Sequence, residues 1–410
     1  MQKVTYDKVD KVLYQAVLES GLKVVCAPLA FAKEAIIGLY CSVGGYAREF
    51  TIGNQKILPG TPGLLAEALL AYPGKKGAEL LKKGNGKISY RLEESYTSYE
   101  YKCKEEEVLS SLDDFLSIFD SLDCDNDQTE KLKGKYLERI KKESVKAEDK
   151  VRPLLYSASP MGQNPYGDED DLKGVHLVAL KKFFNEFYDE PDLTLFVVGN
   201  VKPEEVEKIA RAHVFPKRDN DKEVEVKAFK EDYQNLPVLE QKGEKGKLVL
   251  AVKFPPRKTL FDEFGENVFS YYEMLIPVLF SANNKNAQPV LALGKPGFGI
   301  IKQGGEDAYL YQEFETAKPA EMKDEILKLF KNPKMISFFD YRKARKEYLN
   351  SRKKVFKEDL DGYYFALTEA LANSFAAPAL VETGVRVSKR KFLKFVSEFV
   401  LFPSLFIIGE

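Results

Sequence analysis

Pro59-Gly60-Thr61-Pro62-Gly63-Leu64-Leu65-Ala66-Glu67-Ala68-Leu69-Leu70 is the stretch on which the reading of this chain turns. It is a Gly/Pro-broken loop running into the first turns of an apolar helix. From Leu64 onward it is nearly all Leu and Ala, with one carboxylate, Glu67, set among them. A carboxylate in a run patterned for burial requires a reason, because an unpaired buried charge is costly. Two readings stand. Glu67 lies on the solvated side of an amphipathic helix, or it is what remains of a catalytic helix whose other polar residues have become apolar.

Composition narrows the setting. A chain of 410 residues exceeds one ordinary core and predicts two or more domains, at roughly 100–200 residues each. With 44% hydrophobic and 30% charged residues it is globular. The 62 basic and 63 acidic residues nearly cancel, so no global field recruits nucleic acid or an anionic membrane. No run approaches the ~18 consecutive apolar residues of a membrane span. The amino terminus, Met1-Gln2-Lys3-Val4-Thr5-Tyr6-Asp7, has no apolar core of the signal-peptide kind. Cys26, Cys41, Cys103 and Cys124 show no Cys-x-x-Cys spacing, so neither a zinc ribbon nor a disulfide framework is indicated. These features predict free thiols and a cytoplasmic location. His176 and His213 are the only histidines.

In chain order, strands are expected over 22–28, 35–45, 88–92 and 96–101, separated by the glycine pair Gly44-Gly45, the organising helix and a turn at 82–87. Helical spacing covers 108–121 and 130–143. A long irregular segment, 151–174, contains Asn164-Pro165-Tyr166-Gly167. A helix over 175–188, a strand over 193–198 and a helix over 203–212 close the half.

The second half contains an echo. Phe183-Phe184-Asn185-Glu186-Phe187 with Pro191 is matched by Phe395-Val396-Ser397-Glu398-Phe399 with Pro403. Leu195-Phe196-Val197-Val198-Gly199 is likewise matched by Leu405-Phe406-Ile407-Ile408-Gly409. A helix–proline–strand cassette returning at half the chain length predicts an α+β fold of two duplicated domains of roughly 200 residues each. The expected boundaries are 1–218 for the first domain, a charged linker over 219–244, and 245–410 for the second.

Taken together, these segments resemble the pitrilysin/insulinase family of zinc peptidases, of the short bacterial two-domain, processing-peptidase-like type. That likeness implies two duplicated α/β sandwich domains, each a mixed sheet covered by helices. The resemblance covers nearly the whole chain and is stronger in its first half. It is carried by Val43-Gly44-Gly45-Tyr46 and the Gly60–Leu70 helix start. Gly84-Asn85-Gly86-Lys87-Ile88-Ser89-Tyr90 with Tyr96-Thr97-Ser98-Tyr99 adds to it. The most specific block is Asn164-Pro165-Tyr166-Gly167 followed by Phe183–Tyr188 and Leu195–Val201. The order of these motifs, more than any one of them, carries the likeness.

The resemblance implies a His-x-x-Glu-His helix, in which two histidines four residues apart bind zinc and the glutamate activates a zinc-bound water. On this chain the first histidine falls at Leu64, the glutamate at Glu67 and the second histidine at Ala68. The glutamate that completes the metal site in the family falls at Arg139, with Glu138 one residue out of register. Leu and Ala offer no lone pair, and an arginine in the third place repels a metal. No catalytic residue, metal ligand or cofactor is therefore expected. Glu67 reverts to a helix carboxylate satisfied by the dipole or a nearby lysine. His176 and His213 lie in separate helical regions far along the chain from Glu67.

In family heterodimers a metal-free subunit can supply an arginine and a tyrosine that position the peptide. The matching region, Pro289–Ile301, holds neither, with Lys295 its only cation and Tyr309 and Tyr311 some way beyond. Gly294-x-x-Gly297-x-Gly299 lacks the Gly-Lys-Ser/Thr ending of a phosphate loop and reads as a turn. The basic run Arg342–Lys357 reads as a solvated helix face, and Cys41 and Cys103 as core residues. Tyr271, Tyr272, Tyr363 and Tyr364 fit either packing or the wall of a chamber.

The reading that results is a catalytically silent insulinase-like homologue. It pairs with a zinc-bearing family member and helps form a peptide-binding chamber. Two alternatives remain: a free-standing homodimeric peptide-binding scaffold, and an active zinc endopeptidase with an unorthodox site. In each case peptide is the expected ligand, and neither nucleic acid nor membrane is a partner.

Overall fold

The structure, a computed structural model, describes residues 1–6, 11–45, 50–83, 86–142, 146–218, 224–226, 231–233, 238–265, 267–282, 284–332, 336, 338–372, 388–400 and 403–409. Tyr46, Gly84, Asn85, Glu143 and much of the charged stretch 219–244 lie outside the described residues. The chain divides into two compact units. Unit 1 comprises Met1–Ser144, Gln163–Ala228 and Val355–Pro378; unit 2 comprises Val145–Gly162, Phe229–Lys354 and Ala379–Glu410.

Unit 1 is built on strands β1 (Gln2–Tyr6), β2 (Lys11–Val17), β3 (Lys23–Pro28), β4 (Glu34–Cys41), β7 (Lys87–Leu92), β8 (Thr97–Lys104) and β9 (Leu193–Gly199). Their order in the sheet is β1-β2-β3-β9-β4-β8-β7. Short strands β5 (Phe50–Ile52), β6 (Gln55–Ile57) and β10 (Val224–Val226) make a separate small sheet. The N-terminal hairpin β1–β2 lies outside the expected strands, although β2 carries Val12, Leu13, Tyr14, Ala16 and Val17.

Strand β4 is buried from Ala35 to Cys41 and β9 throughout. That accounts for their continuous apolar sequences, since both faces of the sheet are covered. On one face Ile37, Leu39, Tyr99, Leu195 and Val197 join a core with Leu64, Leu65 and Leu69 of helix α1 (Thr61–Ala71). Helices α2 (Lys75–Lys83), α3 (Val108–Leu116) and α4 (Asn126–Lys142), with the helix Leu177–Phe187, enclose the same core. The other face is covered by the helix Leu360–Ala372. There Tyr364 lies edge-on to Phe196 with ring centroids 6.0 Å apart, and Tyr96 donates to the Glu369 carboxylate at 2.7 Å. Lys102 of β8 donates to Asp361 at 2.8 Å.

Unit 2 contains strands β11 (Leu239–Lys242), β12 (Lys247–Lys253), β13 (Gly294–Gly304), β14 (Asp307–Thr316) and β15 (Leu405–Ile408), ordered β11-β15-β12-β14-β13. This repeats β3-β9-β4-β8-β7 of unit 1. The echo strands hold the same place in each sheet: β9 runs parallel to β3 and antiparallel to β4, as β15 does to β11 and β12. Helices Asn267–Leu279, Pro319–Phe330 and Lys389–Phe395 belong to this unit. A buried lysine ties its margins together. The Lys253 ammonium meets the Glu231 carboxylate and the Asp232 carbonyl, each at 2.6 Å, and lies over the Tyr156 and Tyr233 rings.

Several expectations need correction. The glycine-rich Gly294–Gly299 segment is not a turn but the start of strand β13, with its irregularity between Pro296 and Gly299. Buried Gln312 donates there to the Gly297 and Phe298 carbonyls at 3.2 and 3.4 Å, which stabilises the irregular strand. The segment 151–174 contains short helices Arg152–Leu155 and Glu169–Gly174, the second capped by Asp168. Tyr271, Tyr272, Tyr363 and Tyr364 are at most 4% exposed, so they are packing residues. The basic helix is longer than its charge run, Phe338–Glu358.

Candidate functional site

The loop before α1 crosses the Asn164–Gly167 turn at close quarters. Gly60 has φ +81° and Gly167 φ +76°, and a side chain at Gly60 would meet the Tyr166 carbonyl at 2.8 Å. Only glycine adopts these angles at this separation without strain. Asn164 braces its turn by accepting from the Tyr166 N–H at 3.1 Å and donating to the Gly167 carbonyl at 3.0 Å. Pro62 follows in the first turn of α1, where its missing N–H costs nothing. The two blocks that carried the sequence resemblance therefore pack on each other, and together they set where α1 begins.

Leu64, Glu67 and Ala68 share one face of α1 by their spacing of three and four residues. Leu64 and Ala68 are fully buried. Glu67 keeps a side-chain exposure of 27% and reaches out of the apolar run to Arg139 of α4. Arg139 Nη1 lies 2.6 Å from Glu67 Oε1, and Arg139 Nη2 donates to the Tyr90 hydroxyl at 2.5 Å. Tyr90, on β7, donates in turn to Glu67 Oε1 at 2.8 Å. The guanidinium also lies over the rings of Tyr136 and Tyr90, at 5.1 and 5.6 Å. Tyr136, one turn before Arg139, donates to the Tyr166 carbonyl at 3.3 Å.

The three elements α1, α4 and β7 thus meet in one closed ring of hydrogen bonds. Burial, reinforced by the Glu67 charge and opposed by Arg139, pushes the Tyr90 hydroxyl above its ordinary range and keeps it a donor. The partner of Glu67 is Arg139, where the sequence had suggested the helix dipole or a lysine. Sequence reasoning placed Glu67 and Arg139 in one site but assigned no part to Tyr90 or Tyr136. The only signal for Tyr136 was its spacing of three from Arg139 on a helix.

These residues do not fit a zinc ion. Leu64 and Ala68 carry no donor atom, and the one carboxylate present is committed to a guanidinium and a phenol. Among the described residues no three His, Cys, Asp or Glu side chains gather into a possible metal group. The histidines lie in other surroundings. His176 precedes the helix Leu177–Phe187 and is exposed, 3.8 Å from Glu130. His213 follows the helix Pro203–Ala212 and is buried, its two ring nitrogens bonded to Asp113 at 2.8 Å and Asp120 at 3.1 Å. The four cysteines are buried, and burial pushes the Cys26, Cys41 and Cys103 thiols up to about 12, so they are not nucleophiles.

Beside this centre, β7 is the last strand of its sheet, with β8 its one neighbour among the described residues. Tyr309 and Tyr311 of unit 2 are committed to internal bonds, to the Glu148 carbonyl at 2.5 Å and the Glu313 carboxylate at 2.6 Å. Among the described residues no helix is long and apolar enough to cross a membrane.

The fold and this centre define a two-unit α+β architecture with an arginine–glutamate–tyrosine ring joining α1, α4 and β7. Residues 175–272 match the family described as the Peptidase M16 inactive domain. A protein of Alicyclobacillus acidocaldarius described as M16-like peptidase shares the fold at 13% identity, over 98% of this chain and 99% of that one, with a TM-score of 0.80. A protease of Helicobacter pylori does so at 17% identity, over 97% and 99%, with a TM-score of 0.77. The first half of the periplasmic protease PqqL of Escherichia coli follows at 12% identity, over 100% and 93%, with a TM-score of 0.75. This chain covers 48% of the whole of PqqL. No curated protein matches the sequence. The family match thus covers about a quarter of the chain, while the shared fold extends over nearly all of it.

Proposed function

We propose that this protein is a catalytically silent insulinase-like homologue that binds peptide and works beside a zinc-bearing member of the family. The observation that carries the reading is the engagement of Glu67 by Arg139 and Tyr90. In this family the glutamate acts by taking a proton from a metal-bound water, and here one of its two oxygens, Oε1, takes both the Arg139 guanidinium and the Tyr90 hydroxyl. A carboxylate so engaged, with no ligand beside it to hold a metal, has no activated water to offer.

The chain retains what peptide binding needs. Strand β7, which carries Tyr90, has one edge unpaired among the described residues, and an extended peptide adds to such an edge through main-chain hydrogen bonds, which ask little of particular side chains. The whole of PqqL is about twice the length this chain spans, and its two-part build favours pairing of this chain with a second such unit. Pro289–Ile301 has neither the arginine nor the tyrosine of a peptide-positioning subunit. Its contribution on this reading is therefore the wall of a chamber and a binding edge. The buried, unpaired thiols fit a reducing, cytoplasmic setting.

The test is to purify the tagged chain from its native cells and identify what comes with it. A co-purifying homologue carrying an intact His-x-x-Glu-His helix, and peptide hydrolysis by the complex but not by the bare chain, supports the reading. Self-association alone, by light scattering on the same material, points to the homodimeric scaffold and rejects the heterodimer.

A further inference from the structure

The ring around Arg139 does more than leave a metal out. In a zinc centre the ion is the cation that draws ligands from separate elements together, and its binding energy contributes to folding. In this chain the same junction of α1 and α4, with β7 added, is drawn together by a guanidinium: Nη1 to Glu67 on α1, Nη2 to Tyr90 on β7, from a residue of α4. The planar fork suits this work, because it presents two donors in fixed directions and stays charged at any working pH. Tyr136 underlies the guanidinium at 5.1 Å and also meets the start of α1, where a side chain on Gly63 would come within 2.0 Å of its hydroxyl. The arginine is thereby supported from below as well as held from the front.

We propose that Arg139 is a built-in cation that takes over the metal's cross-linking role, fastening α1, α4 and β7, and that its charge bars a divalent ion from the junction. The proposal rests on the family reading of the fold. It is independent of whether the chain pairs with a partner or binds peptide, and its tests involve neither.

Metal affinity provides the first test. The double variant Leu64→His/Ala68→His keeps Arg139, and the triple variant adds Arg139→Glu. Each is dialysed against zinc, desalted and analysed for metal, with circular dichroism as the check on folding. The expected result is one tightly held zinc per chain in the triple variant and a loss of affinity of about 100-fold or more in the double variant. Equal zinc in both, or none in a folded triple variant, would overturn the proposal.

Thermal unfolding provides the second, and it decides alone should the triple variant not fold. Arg139→Met should lower Tm by roughly 4–8 °C. Glu67→Gln, costly in the native background, should cost little more once Arg139 is gone, because the two changes break one ring. Arg139→Lys should fail to rescue, since an ammonium cannot serve both partners as a fork does. Chelator should leave the native Tm unchanged. Additive losses, rescue by lysine, or a chelator-induced fall in Tm would each contradict the assignment.

Discussion

A methyl group added at Gly63 would sit 2.0 Å from the Tyr136 hydroxyl, closer than any real contact. Alanine is favoured over glycine in a helix by about 1 kcal/mol, so a surface position would gain from the change. Here the tyrosine is 2% exposed and has no room to retreat. Overpacking of that kind costs typically about 1–3 kcal/mol. Gly63→Ala is therefore expected to lower the unfolding midpoint, and Tyr136→Phe in the same chain to recover part of the loss. His213 makes a second residue-scale prediction. Burial acts against its charged form, but the bonds to Asp120 and Asp113 outweigh it, and its pKa is raised on folding. A raised folded-state pKa stabilises fully below the ordinary histidine value of about 6.5 and is lost as pH rises through the folded value. The gap in denaturation midpoint between the native chain and His213→Gln should be widest near pH 5.5 and narrow towards pH 9. A constant gap would remove the charge from the account. Of the central ring, Glu67 was legible in the sequence as the one motif residue kept, and Arg139 as a departure from the motif. Their mutual bond was not, because a substitution shows which chemistry is lost and not which partner replaces it.

At the scale of elements, the start of α1 was legible, since Gly60 and Pro62 punctuate it and the run that follows is apolar but for Glu67. The echo of helix, proline and strand was legible too, and the matching places of β9 and β15 in their sheets give it a structural meaning. Strand β13 was not. Its glycines suggested a turn, and only the buried amide of Gln312, distant in sequence, explains why an irregular strand persists there. The helix Leu360–Ala372 was invisible as a cover for the sheet of unit 1, because long-range packing leaves no local period. Its fit is tight: a side chain at Gly38 would come within 2.1 Å of the Tyr364 hydroxyl. Gly38→Ala should therefore raise amide exchange along that helix and along β4 while leaving α2 and α3 protected. Pairing it with Tyr364→Phe should restore part of the protection. Uniform loss across unit 1 would mean that the helix is not a separable cover.

At the scale of the whole molecule, the two units do not follow the halves of the sequence. Val355–Pro378 belongs to unit 1 and Val145–Gly162 to unit 2. A fragment ending at residue 218 would lack the helix that covers Gly38, Tyr96 and Phe196. It is expected to bind a hydrophobic dye and aggregate, and adding a peptide of residues 355–378 should reduce both. A fragment as stable and dye-silent as the parent would show that the cover is dispensable. The account as a whole stands on the replacement of a metal centre by an arginine–glutamate–tyrosine ring. Its most direct test is the zinc content of the purified native chain, measured together with its cleavage of an unfolded peptide in the presence and absence of chelator. The account predicts no stoichiometric zinc and no chelator-sensitive cleavage. One zinc per chain with cleavage that chelator abolishes would contradict it.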